Sequence, residues 1–224
     1  MKRPKGVPMK DKKQVLDGIL ECGIAAVVRA ESAELAFKAI EAALAGGVNV
    51  IEVTFTVPGA LDIIKQLARE TGDEVILGAG TVLDPETAVN AIDAGARFIV
   101  SPSTNVRTIE AAKSKGAAVF PGALTPTEVI TAWQAGGDVI KIFPANVVGP
   151  SYFKDLHGPF PEIPLMPTGG VDLTTARTWL EHGAVALGVG GALIDKKLMK
   201  EGNFSEITSR AKKFCEIIRE FRGR

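Results

Sequence analysis

Histidine and cysteine are scarce in this sequence: His157, His182, Cys22 and Cys215 are the whole supply in 224 residues. Two histidines leave a His-rich metal site without ligands and give a His-based triad few candidates. The two cysteines stand near opposite ends of the chain and in no metal-spaced cluster, so neither a disulfide scaffold nor a zinc ribbon is expected. A reduced, cytoplasmic setting fits them. Net charge is missing too, with 26 Lys and Arg against 26 Asp and Glu. That balance gives no basic field for nucleic acid and no strongly acidic solvating surface, and it points to a small-molecule partner. Long apolar runs are also lacking. A segment such as Ile24-Ala-Ala-Val-Val28 is strand-sized, far below the ~20 residues that cross a bilayer, so no membrane partner is expected. Residues 1–13 carry six basic side chains and one acid without the apolar stretch of a secretory signal, and read as a loose basic tail. The rest, 14–224, is the right length for one domain.

Glycine is plentiful, with 24 residues, and its placement is regular. A helix-period segment repeatedly ends at Gly and a short β-branched run follows, as in Leu44-Ala-Gly-Gly-Val-Asn-Val-Ile-Glu-Val-Thr54 and Gln134-Ala-Gly-Gly-Asp-Val-Ile-Lys-Ile-Phe143. This is the signature of an αβ loop with Gly closing the helix. Carried along the chain, it predicts strands at 24–29, 48–54, 74–80, 98–101, 117–121, 139–143, 164–167 and 184–188. Helices are expected to start near Ser32, Asp84-Pro85, Thr125-Pro126 and Asp172, and a last amphipathic helix to span 204–222 with Ile207, Ala211, Phe214, Ile217, Ile218 and Phe221 inward. Eight βα units at near-uniform spacing predict a single compact (β/α)8 barrel of α/β class, with no dividing linker.

In such a barrel the reactive groups sit where strands end, because the βα loops form the mouth. Lys141 stands out inside Val139-Ile-Lys-Ile-Phe143, where alternation puts it on one face with Val139 and Phe143. Burial there disfavours the ammonium, so the neutral amine could attack a ketone. Glu52, in Val50-Ile-Glu-Val-Thr54, is the same anomaly in a carboxylate. Together they are the pair that imine chemistry needs, one forming the adduct and the other moving protons. A structural ion pair would use the same two residues, with Arg29 as a further partner. Thr168-Gly169-Gly170 and Gly188-Val-Gly190-Gly191 close the last two strands, where barrels commonly seat a phosphate on backbone N–H groups. Neither run, nor Gly78-Ala-Gly80, has GxGxxG spacing, so no dinucleotide is expected. Arg29 could clamp a carboxylate. Thr81 could add a hydroxyl contact or cap the next helix.

The ordered motifs Glu52-Val-Thr, Gly78-Ala-Gly-Thr-Val, Ile99-Val-Ser-Pro102, Phe120-Pro-Gly122, Val139-Ile-Lys-Ile-Phe-Pro-Ala145, Pro167-Thr-Gly-Gly170 and Gly188-Val-Gly-Gly191 resemble the 2-keto-3-deoxy-6-phosphogluconate (KDPG) / 4-hydroxy-2-oxoglutarate (KHG) aldolase family, from Ile24 to Ile194. The resemblance implies a cofactor-free, metal-free class I aldolase, a homotrimer of barrels that cleaves a 2-keto-4-hydroxy acid, KDPG and also 4-hydroxy-2-oxoglutarate, to pyruvate and an aldehyde. It makes Lys141 the Schiff-base lysine and Glu52 the general acid/base. Thr81 would meet the pyruvate carboxylate, and Thr168, Gly169, Gly170, Gly190 and Gly191 the distal phosphate. Two departures stand out. The family often has an arginine four residues after the Glu, where this chain has Thr56, so Arg29 is expected to supply the charge. The serine frequent in the last glycine run is replaced by Ala192, which leaves phosphate to backbone N–H groups. The sister aldolase for the galactonate epimer, and a phosphate-binding isomerase or epimerase with Glu52 as base, are the rival activities; a barrel that only binds ligand is the non-enzymatic one.

Overall fold

The computed structural model describes residues 11–223. Most of the expected tail at 1–13 lies outside them, but Lys12 and Lys13 belong to a helix. Among the described residues nine short strands are interspersed with ten α-helices. The strands are β1 (Ile24–Val28), β2 (Val50–Thr54), β3 (Ile76–Gly80), β4 (Phe98–Val100), β5 (Ala118–Phe120), β6 (Gly122–Ala123), β7 (Ile140–Ile142), β8 (Leu165–Pro167) and β9 (Leu187–Val189). They form two curled parallel sheets, six strands in the order β5-β4-β3-β2-β1-β9 and three in the order β6-β7-β8. Every strand residue is buried, as a parallel sheet covered on both faces requires, which is why these segments read as unbroken apolar runs.

Most strands are one or two residues shorter than expected, and two differ further. The strand expected at 117–121 is split into β5 and β6 by Pro121, which has no N–H for the ladder but whose carbonyl accepts from the Lys141 N–H at 2.9 Å. The last strand starts three residues later than expected and ends one residue later. Ala184 makes only an isolated bridge to Leu165, while Thr168 bridges Gly188, so the two sheets meet there through single contacts.

The helices are α1 (Lys12–Cys22), α2 (Ala33–Ala45), α3 (Ala60–Thr71), α4 (Pro85–Ala94), α5 (Val106–Ser114), α6 (Pro126–Gln134), α7 (Ser151–His157), α8 (Ala176–Glu181), α9 (Lys196–Lys200) and α10 (Phe204–Phe221). Three of the expected starts are side-chain caps: Ser32 accepts from the Leu35 N–H, Asp84 from Thr87, and Thr125 forms a capping box with Glu128. Asp172 is not a cap. Its carboxylate takes the N–H groups of Thr174 and Thr175 in an Asx turn, and α8 begins four residues on. Along α10, Ile207, Ala211, Phe214 and Ile218 are buried, whereas Phe221, expected inward, is 37% exposed. No described helix is long and apolar enough to cross a membrane.

The interior explains where chemistry can sit. Inward side chains Ala25, Val50, Ile76, Phe98, Phe120, Val139, Met166 and Ala186 share one apolar cluster with Val15 and Ile19 of α1. Thus α1, which the sequence reading missed, plugs the N-terminal end of the strands. It is anchored by a capping box at Asp11 and by Lys12, whose ammonium is 2.6 Å from Asp138. Strand residues two steps further along face the same way. Above Val50, Ile76, Val139, Met166 and Ala186 those residues are Glu52, Gly78, Lys141, Thr168 and Gly188. An apolar floor therefore lies beneath a layer of polar and absent side chains at the C-terminal end.

Candidate active site

Glu52 and Lys141 come from opposite sheets, Glu52 level with Val27 and Gly78, and Lys141 level with Gly122 and Met166. Both point into the interior and are nearly inaccessible, at 1% and 3%. The carboxylate has room because Gly80 has no side chain, and a Cβ there would occupy the position of the Glu52 carboxyl. Neither Glu52 oxygen has a hydrogen-bond partner. The Lys141 ammonium position lies 5.2 Å from the centre of the Phe143 ring, the neighbour that alternation predicted. Among the described residues neither side chain makes an ion pair, so the structural salt bridge open in the sequence is not formed.

Burial dominates both titrations. It pushes the Glu52 carboxyl above the usual carboxylate range, against the pull of Lys141 and then Arg29. It pushes the Lys141 amine below the usual lysine range, opposed by Glu52 and assisted by Arg29. Desolvation thus favours the uncharged form of each, which is what a nucleophilic amine and a proton-carrying carboxyl require.

Arg29 follows directly on β1, is exposed, and has no hydrogen bond or ion pair among the described residues. Glu31, the acid nearest in sequence, is taken by Lys200 at 2.9 Å. Thr56 is no substitute cation and is not even a free donor. Thr54 donates to the Val28 carbonyl at 2.9 Å and lies 2.6 Å from Thr56, so the Thr56 hydroxyl hydrogen is directed at Thr54. What remains on Thr56 is an acceptor, which repels an anion. Thr81 is the one described non-glycine residue with positive φ, 58°. Such a conformation is costly for a β-branched side chain and marks a constrained site. It does not cap α4, because Asp84 does.

Thr168 is buried with an unpartnered hydroxyl, lying where a Cβ on Gly188 would be. Gly169 and Gly170 turn the chain away with φ of 93° and 74°, and Gly170 packs against Asn146. Asn146, exposed in a 3-10 turn (Ala145–Val147) after β7, is a mouth residue the sequence reading overlooked; its only signal was its place just beyond Phe143-Pro-Ala145. Gly190 and Gly191 differ from every other described glycine. Their φ is not left-handed, and nothing lies within 4 Å of where a Cβ would be. No packing among the described residues calls for glycine there, and the bare backbone faces open space.

A profile described as KDPG and KHG aldolase matches residues 16–210. A 2-dehydro-3-deoxy-phosphogluconate aldolase of Treponema pallidum is 33% identical, over 86% of this chain and 91% of that protein. The KDPG aldolase of Zymomonas mobilis, solved with 3-phosphoglycerate, superposes with a TM-score of 0.82 at 30% identity, over 92% of this chain and 97% of its own. That of Legionella pneumophila, holding pyruvate as a covalent carbinolamine, gives 0.78 at 28% identity, over 85% and 92%. The ordered strand-end motifs, the buried lysine and carboxylate they carry, and these likenesses converge: this chain belongs to the KDPG and KHG aldolase family.

Proposed function

We propose that this chain is a class I aldolase that cleaves KDPG to pyruvate and glyceraldehyde 3-phosphate, and 4-hydroxy-2-oxoglutarate to pyruvate and glyoxylate by the same route. The observation that carries the reading is a desolvated, unpaired Lys141 amine sharing one interior with an unpartnered Glu52 carboxyl. Lys141 adds to the C2 ketone, and the Glu52 carboxyl gives up its proton as water leaves, which yields a protonated imine and a carboxylate. Glu52 takes the C4 hydroxyl proton, the C3–C4 bond breaks toward the imine, and the aldehyde leaves. Glu52 returns a proton to C3 of the enamine, and hydrolysis frees pyruvate and Lys141.

Borohydride reduction in the presence of pyruvate tests this directly. The expected product is a pyruvate adduct on the peptide containing Lys141. An unmodified lysine would instead favour an isomerase or epimerase, in which Lys141 serves as an electrostatic clamp.

Arg29 is the carboxylate clamp in this reading, replacing the arginine absent at Thr56, and Thr81 adds its hydroxyl. Arg29→Ala is expected to raise the KM for pyruvate in the exchange of its methyl protons by about 10- to 100-fold. An unchanged KM would end the compensation argument. The distal phosphate rests on Thr168, Gly169 and Gly170 and on the bare backbone of Gly190 and Gly191, whose openness supports the assignment. We read the two sheets as one closed (β/α)8 barrel. Continuity of the chain through Pro121 supports this on one side, and the Leu165–Ala184 and Thr168–Gly188 bridges support it on the other. A homotrimer and a cytoplasmic setting are carried by the family resemblance.

A further inference from the structure

The loop after β9 is held from behind by a residue far away in sequence. The Gly190 carbonyl accepts from the N–H groups of Leu193 and Ile194, at 2.9 and 2.8 Å. In a trans peptide the next N–H points the opposite way, so that of Gly191 is turned away from this turn. Among the described residues the N–H groups of Gly190, Gly191 and Ala192 have no partner. The Ala192 carbonyl accepts at 3.1 Å from the guanidinium of Arg210, on α10. Arg210 is itself fixed by Glu206, at 3.1 Å, and by Asp195, at 3.3 Å, and it is only 25% exposed. Asp195 also caps α9 by accepting from Lys197 and Leu198. One planar fork therefore ties the loop's exit to two helices.

We propose that Arg210 is a positioning residue for the distal anion of the substrate. It draws the Ala192 carbonyl toward α10, so the anion meets unpaired N–H groups and no carbonyl oxygen. With alanine at position 192 there is no hydroxyl to take over, and the backbone's orientation alone decides how well the anion is held. The inference rests on the reading that this loop takes the phosphate.

The test compares steady-state cleavage of KDPG, which carries the phosphate, with that of 4-hydroxy-2-oxoglutarate, which does not. Arg210→Ala is expected to raise the KM for KDPG about tenfold while leaving its kcat, the KM for the shorter substrate and borohydride trapping of pyruvate unchanged. Arg210→Lys, which can reach one carbonyl but cannot fork, should recover part of the loss. If Arg210→Ala does not fold, Arg210→Gln is read in the same way. Equal losses on both substrates, or no loss on either, would overturn the inference, the first by making Arg210 merely structural. Gly191→Glu separates the two levels: a selective KDPG defect there with none in Arg210→Ala sinks only the role of Arg210. No selective defect in Gly191→Glu sinks the phosphate reading and the inference together.

Discussion

Lys141→Met leaves a folded protein that binds no pyruvate covalently and turns over at least about 10^4-fold more slowly than the native chain. Methionine matches the lysine stem in volume and suits the apolar walls of β7, so loss of the amine is the dominant change. Lys141→Arg is the sharper half of the experiment. Arginine keeps a cation at the same strand position but offers no amine that forms an imine. If the lysine acted only as an electrostatic clamp, Lys141→Arg would keep activity within about tenfold of the native chain. If the lysine is the nucleophile, both variants are equally dead, as stopped assays of pyruvate release would show. Retained activity in Lys141→Arg would remove the imine from the mechanism.

The second large effect belongs to Glu52. Glu52→Gln fits the same space over Gly80 and removes the proposed proton carrier, so kcat is expected to fall by about 10^2- to 10^4-fold. Pyruvate trapping persists, and its pH dependence moves in a definable direction. The Glu52 charge raises the Lys141 pKa against the larger effect of burial. Without it the amine titrates lower, so the acid limb of trapping shifts to lower pH even as turnover collapses. A shift to higher pH would contradict the coupling.

Stability gives an independent check. The folded-state pKa of Glu52 lies above its unfolded value, so the folded protein binds the extra proton. The stability that this group contributes is full below the unfolded value of about 4.3 and is lost as pH rises through the folded value. Relative to the native chain, Glu52→Gln should therefore become progressively more stable to urea from pH 4 toward neutrality. A difference that stays constant with pH would deny the buried carboxyl its raised pKa.

How much of this was legible in the sequence follows from which forces are local. Lys141 and Glu52 betrayed themselves as charges inside apolar runs, and simple alternation then placed Phe143 beside Lys141, as the 5.2 Å ring contact bears out. Capping residues announced three helix starts because a cap is settled within four residues. Gly80 could not be recognised as the seat of Glu52, since that depends on the register between β2 and β3, where Glu52 stands level with Gly78. The split at Pro121 has the same origin: the proline matters through neighbours on either side, β4 and β7, that lie far off in sequence. Asp172 misled because a short acid before an apolar stretch suits an Asx turn as well as a cap. Helix α1 was hidden by its basic flank, which read as tail. Arg210 carried no local sign, since its partners Ala192 and Asp195 are brought to it only by the tertiary fold.

The plug formed by α1 bears on how the protein is made. The first described helix to leave the ribosome docks on a floor that includes Val139, Met166 and Ala186, and its Lys12 pairs with Asp138. Those residues emerge more than a hundred positions later, so α1 meets Ala25, Val50 and Ile76 early and the far side of its floor only late in translation. A synthesis halted before β8 therefore leaves α1 seated on one side only, without Met166 and Ala186 to close the floor around it.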